Sequence, residues 1–143
     1  MEARWFLVWD RHRFHVYLMV ETALERVRID WHQNSTLELA PYKDKMGEKQ
    51  VLVGKAPYCS ECLLEKTQKL LYRYQLFSFN CRTVSYLILT EVLGFDETRV
   101  YEYFRDENTL CGLDSMECFS VAEIDHFIAW RNAGNTINGP GGL

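Results

Sequence analysis

Between Tyr72 and Phe95, YRYQLFSFNCRTVSYLILTEVLGF, the hydrophobic period of the chain changes, and that change limits what it can fold into. Up to Asn80 the residues alternate. Leu76, Ser78 and Asn80 point one way and Gln75, Phe77 and Phe79 the other, as in a short strand or extended lead-in. From Cys81 onward the apolar steps become threes and fours, through Val84, Ile88, Val92 and Phe95, the buried stripe of an amphipathic helix. Asn80 is placed to cap that helix with its side-chain oxygen, and Gly94 to close its last turn. Cys81 therefore opens a helix that faces a core. A thiolate there gains from the helix dipole and the free amides. The same amides can receive an oxyanion, which makes Asn80 and Arg82 the cap and oxyanion positions. The alternative is a cysteine that packs as a small hydrophobe.

The residues before this helix read as strands. Arg4 to Trp9 and Arg13 to Val20 form two, joined by the charged turn Asp10–Arg11–His12. In the second, Phe14, Val16, Leu18 and Val20 share an apolar face, which leaves His15 with Arg13, Tyr17 and Met19 on a mixed one. After a loop at Glu21 to Glu25, Val27, Ile29 and Trp31 alternate with Arg28, Asp30 and His32 in a third strand. Its far end should return towards His15. Leu37 and Leu39 suggest an edge strand stopped by Pro41, Tyr42 to Lys49 a surface loop, and Val51 to Val53 a short strand. Ser60 can cap a helix with Leu63, Leu64, Thr67, Leu70, Leu71 and Tyr74 inward. Asp96 can cap another with Val100, Tyr103 and Phe104 inward, and Ser120 with Glu123 a last one with Val121, Ile124, Phe127 and Ile128 buried. Residues 1–131 read as a single α+β domain, and 132–143, rich in Gly and Asn, as a loose tail.

A net charge of −4 and a pI near 5.6 give no support for a nucleic-acid or anionic-membrane partner. No run approaches the roughly 20 apolar residues of a membrane span, and no export signal is evident. An odd cysteine count of 5 then suggests reduced thiols and a cytoplasmic location. Cys59 and Cys62 form a CxxC that could join Cys111 and Cys118 around zinc. The second pair is widely spaced for a zinc knuckle, however, and a helix continues straight after Cys62. No thioredoxin-like pattern surrounds the CxxC either, so no metal and no cofactor is expected.

The sharpest constellation is a Cys81–His15 pair, a thiol nucleophile with an imidazole base. A third group would orient the ring, with His32 the first choice and Asp30 the second, both on the polar face of the third strand. His12 is a rival base, but its neighbours Arg11 and Arg13 disfavour a protonated ring. His126 should face solvent.

The order of these parts resembles a known superfamily. RHRFHVYLMV is similar to the His-bearing strand of the lecithin:retinol acyltransferase-like, or H-box/NC, proteins. YQLFSFNCRTVSYLILTEVLGF resembles their NC segment and that of the PPPDE (deSUMOylating isopeptidase-like) family, where Thr and Ser commonly follow Cys at two and four positions, here Thr83 and Ser85. Both belong to the permuted papain-like NlpC/P60 superfamily. The likeness runs over about residues 13–95 and implies Cys81 as nucleophile, His15 as base and His32 as the polar third residue. Arg82 stands where the acyltransferase-like group prefers a carboxylate, the hairpin is longer, and that group's Gly at the end of the first strand and its hydrophobic tail are missing, which points away from membrane lipids. The expected fold is α+β, an antiparallel sheet of four to six strands packed against helices, NlpC/P60-like. The expected function is a thiol hydrolase or acyl transferase acting on an amide, isopeptide or ester of a protein or acyl substrate. The alternative, implied by viral H-box/NC proteins that keep the fold for protein binding, is a catalytically inactive binding module.

Overall fold

In the computed structural model, which describes residues 2–10, 15–32, 36–74, 80–105 and 122–133, everything is hung on one strand, β1 (Glu2–Asp10). It pairs antiparallel with β2 (His15–Glu21) from Arg4↔Glu21 to Asp10↔His15. On its other edge it pairs with β5 (Glu48–Pro57) from Glu2↔Pro57 to Asp10↔Glu48. Beyond β2 lie β3 (Arg26–Trp31) and β4 (Leu37–Pro41), so the antiparallel sheet runs β4-β3-β2-β1-β5. Among the described residues the protein is thus α+β, with an open five-stranded sheet and four helices.

The alternation expected of β1 and β2 buries both faces. Trp5, Leu7, Trp9, Val16, Leu18 and Val20 meet the helices, while Val8, Tyr17 and Met19 pack with Tyr42 on the opposite side. β5 is ten residues long where the sequence suggested only Val51 to Val53. Its polar first residues read as loop, yet pairing with β1 satisfies their backbone groups, and an edge strand tolerates polar side chains. A bulge shifts the β1–β5 register between Trp5 and Phe6 and sets Gly54 opposite Trp5. There a Cβ would stand 2.7 Å from a carbon of the Phe95 ring. Gly54→Ala should therefore cost about 1–3 kcal/mol of stability through overpacking, read as a lower urea midpoint at unchanged slope.

The first helix, α1 (Ser60–Arg73), is capped by Cys59 and not by Ser60, which is already helical. The Cys59 sulfur accepts the Cys62 N–H, a role that hydroxyl-based capping rules do not cover. Leu63, Thr67 and Tyr74 are buried as expected, but Leu64 is 40% exposed. The second, α2 (Cys81–Leu87), passes into a π turn at Ile88–Val92, and its residues Thr83 to Leu89 are buried. Gly94 then takes φ +77°, the left-handed conformation that ends the helix. Asp96 accepts the Arg99 N–H at 2.9 Å to open α3 (Glu97–Arg105), which buries Val100 and Phe104. The last helix, α4 (Ala122–Asn132), buries Ile124 and Phe127. It is tied down by Arg131, which bonds Glu91 at 3.0 Å and also Glu97. Among the described residues no helix is long and apolar enough to cross a membrane. The lead-in at 75–79, His12, Ser120, Cys111, Cys118 and the tail from 134 lie outside the described residues.

Candidate active site

Asn80 holds the mouth of α2 with a complete capping box. Its Oδ1 accepts the Arg82 and Thr83 N–H groups, each at 3.0 Å, while the Asn80 N–H donates to Thr83 Oγ1, also at 3.0 Å. The backbone around Cys81 is thus fixed by its own neighbours. The helix packs on β2 and β3, which carries Cys81 to the first residues of β2. There the His15 ring and the Val16 backbone N–H lie close enough to the sulfur to favour its charged form. Cys81 is only partly buried.

His15 begins β2, and its ring has a second partner: Nε2 faces Asp30 Oδ1 on β3. With Nε2 committed there, Nδ1 is the ring nitrogen left for the sulfur. Asp30 is itself held. Its Oδ2 accepts Arg28 Nε at 2.9 Å and lies 2.8 Å from Arg28 Nη2. The guanidinium lies 3.8 Å over the Tyr17 ring, and Tyr17 stacks against His15 with ring centroids 6.1 Å apart. Tyr17 OH donates to Glu48 Oε2 at 2.6 Å, so the chain of contacts reaches from β3 across β2 to β5.

The electrostatics follow from these contacts. Burial opposes the charged form of His15, but the Asp30 carboxylate and the Cys81 sulfur outweigh it and push the imidazole up to about 9. Burial also opposes a Cys81 thiolate. The His15 hydrogen bond, the Val16 N–H and the Arg82 charge prevail and hold the thiol below its ordinary value. Asp30, despite its own burial, is held below the usual carboxylate range by His15 and Arg28. A raised imidazole next to a lowered thiol favours the ion-paired form of Cys81 and His15.

Among the expected residues, Cys81 and His15 come together and His32 does not join them. His32 Nε2 bonds Glu38 Oε1 at 3.0 Å, and its N–H donates to the Thr36 carbonyl. The reason is strand pairing. The β2–β3 ladder stops at Leu18↔Ile29, whereas β3 stays paired with β4 as far as Trp31↔Leu37. The end of β3 therefore follows β4 away from His15, and Asp30 is the last polar residue that still reaches the ring. Arg82 likewise differs from its expected oxyanion role, because its N–H is taken by Asn80. His126 is exposed on α4. Sequence pattern alone assigns Arg28 and Tyr17 no role at the site. Their signal is positional: residues 15, 17 and 19 of one strand and 28 and 30 of the next share a face once the Glu21↔Arg26 hairpin is closed. Cys59 and Cys62 are bonded to each other and not kept as reduced thiols.

No protein-family model matches this chain, and neither a curated protein nor a solved structure shows significant similarity to it.

Proposed function

We propose that the protein is a cysteine-dependent hydrolase or acyl transferase with the NlpC/P60-like fold, Cys81 its nucleophile and His15 its acid and base. The observation that carries this reading is a single imidazole that lies beside a helix-mouth sulfur and is bonded to an anchored carboxylate. Asp30 orients the ring and stabilises its charged form, the role for which His32 was expected. The thiolate attacks the carbonyl carbon of an amide, isopeptide or ester. With Arg82 and Thr83 N–H spent on Asn80, the Cys81 N–H is the amide at hand for the oxyanion. His15 returns its proton to the leaving amine or alkoxide, leaving a thioester on Cys81. It then takes a proton from water, or from an acceptor nucleophile, to release the acyl group.

An activated acetyl ester tests this. The peptide that carries Cys81 should gain one acetyl group faster than free glutathione does, and then lose it to water, while Cys81→Ala gains none there. A Cys81 that reacts no faster than glutathione would return the protein to the binding-module reading.

A further inference from the structure

Far from Cys81, at the mouth of α1, Cys59 and Cys62 are joined as a disulfide. The two sites sit at opposite ends of β1, since Asp10 pairs with His15 and Glu2 with Pro57, so they are about 26 Å apart. A crosslink closing so short a loop removes little entropy from the unfolded chain, and stapling the fold is not what it is suited to. Its surroundings suit exchange instead. Both cysteines are exposed to attacking thiols. The Cys59 sulfur caps a 14-residue helix and receives the Cys62 N–H at 3.2 Å, a contact that stabilises a thiolate leaving or attacking from Cys59. Beside the sulfurs opens a groove of about 240 Å³, walled mostly by apolar side chains such as Trp5, Pro57, Leu63, Val92 and Leu93, with Lys66 also lining it. An apolar groove running up to a disulfide is what a cysteine-bearing apolar peptide would need.

From this juxtaposition we infer that Cys59–Cys62 is a thiol–disulfide exchange site whose substrate is a pair of cysteine thiols on an apolar peptide segment seated in that groove. One substrate thiolate attacks the Cys59 sulfur, and the Cys59–Cys62 bond breaks. Cys62 departs as a thiolate and takes a proton from solvent. The second substrate thiol, deprotonated, attacks the substrate sulfur of the mixed disulfide and expels Cys59, whose negative charge meets the Cys62 N–H. Two electrons pass from substrate to protein. The substrate ends as a disulfide and Cys59 and Cys62 as thiols; a substrate disulfide runs the same steps backwards. A small thiol such as glutathione shares the chemistry but not the groove.

The full-length chain is equilibrated in buffers of varied reduced-to-oxidised glutathione ratio, quenched in acid, alkylated and mapped. The fraction of Cys59–Cys62 disulfide should follow the ratio reversibly. In Cys62→Ser, a mixed disulfide with glutathione should accumulate on Cys59 at least about tenfold faster than on Cys62 in Cys59→Ser. A dithiol peptide with Leu and Phe beside its cysteines should exchange at least about fivefold faster than one with Gly and Ser there. A disulfide that stays closed at every ratio, equal trapping in the two variants, or equal rates for the two peptides would each overturn the assignment. Because Cys81 takes no part, none of these results bears on the acyl-transfer reading.

Discussion

Replacing His15 by alanine should slow alkylation of Cys81 at about pH 6 by about tenfold or more, because the ring is the main group that holds the thiol below its ordinary value. In the native protein the imidazolium and the Val16 N–H hold the thiolate against the cost of burial. Without the ring, burial is opposed only by the Val16 N–H and the Arg82 charge, and the thiol returns towards its ordinary value. The rate of iodoacetamide labelling on the Cys81 peptide, followed from about pH 5 to 10, is the measurement. The native profile should extend to lower pH than the variant's, because protonating the thiolate means breaking the pair. The alanine variant should rise only in the alkaline range. Superimposed profiles would mean that His15 does not set the state of Cys81, and the acyl-transfer reading would lose its base.

The second large effect is on stability. Asp30 is 3% exposed and bonds both His15 and Arg28. Asp30→Ala leaves the Arg28 guanidinium facing a cavity with no counter-charge and the His15 ring with the Cys81 sulfur alone, a costly way to break an ion pair. The loss should be about 3 kcal/mol, the low end for a buried pair, since the Arg28 and His15 side chains keep 18% and 22% of their exposure. Its pH dependence has a definite sign. His15 is raised from 6.5 to about 9, so the stabilisation of its charged form is complete below about pH 6.5 and fades as pH rises through 9. The gap in urea stability between the native protein and Asp30→Ala should therefore be largest near pH 6 and narrower near pH 9.5, where only the Arg28 contact remains to be lost. A gap constant over that range would mean that Asp30 serves Arg28 alone. Asp30→Asn, which keeps a hydrogen-bond acceptor but not the charge, should fall between the two in stability while still weakening Cys81 labelling.

Much of the site was legible in the residues because it is local. The Asn80 cap, the change of period at Cys81 and the alternation of β2 each depend on neighbours within a few positions, and backbone sterics and capping chemistry act at that range. The same holds for the Asp96 cap and the Gly94 stop. Where tertiary pairing overrode local signals, the reading fell short. Polar residues 48–50 joined a strand because β1 offered them partners, and Cys59 displaced Ser60 as cap because its sulfur lay where an oxygen was expected.

By itself the sequence determined that a cysteine would open a helix against a core and that a histidine would stand on the polar face of an early strand. Only the tertiary structure decided which polar side chain that histidine holds. His32 and Asp30 are equivalent in pattern, two residues apart on one face of one strand. The choice between them was made where the β2–β3 ladder ends at Leu18↔Ile29 and β3 turns to follow β4, a balance of pairing between distant segments. The disulfide was decided in the same way. Spacing allowed Cys59 and Cys62 to meet each other or a metal, and the turn into α1 brought their sulfurs together.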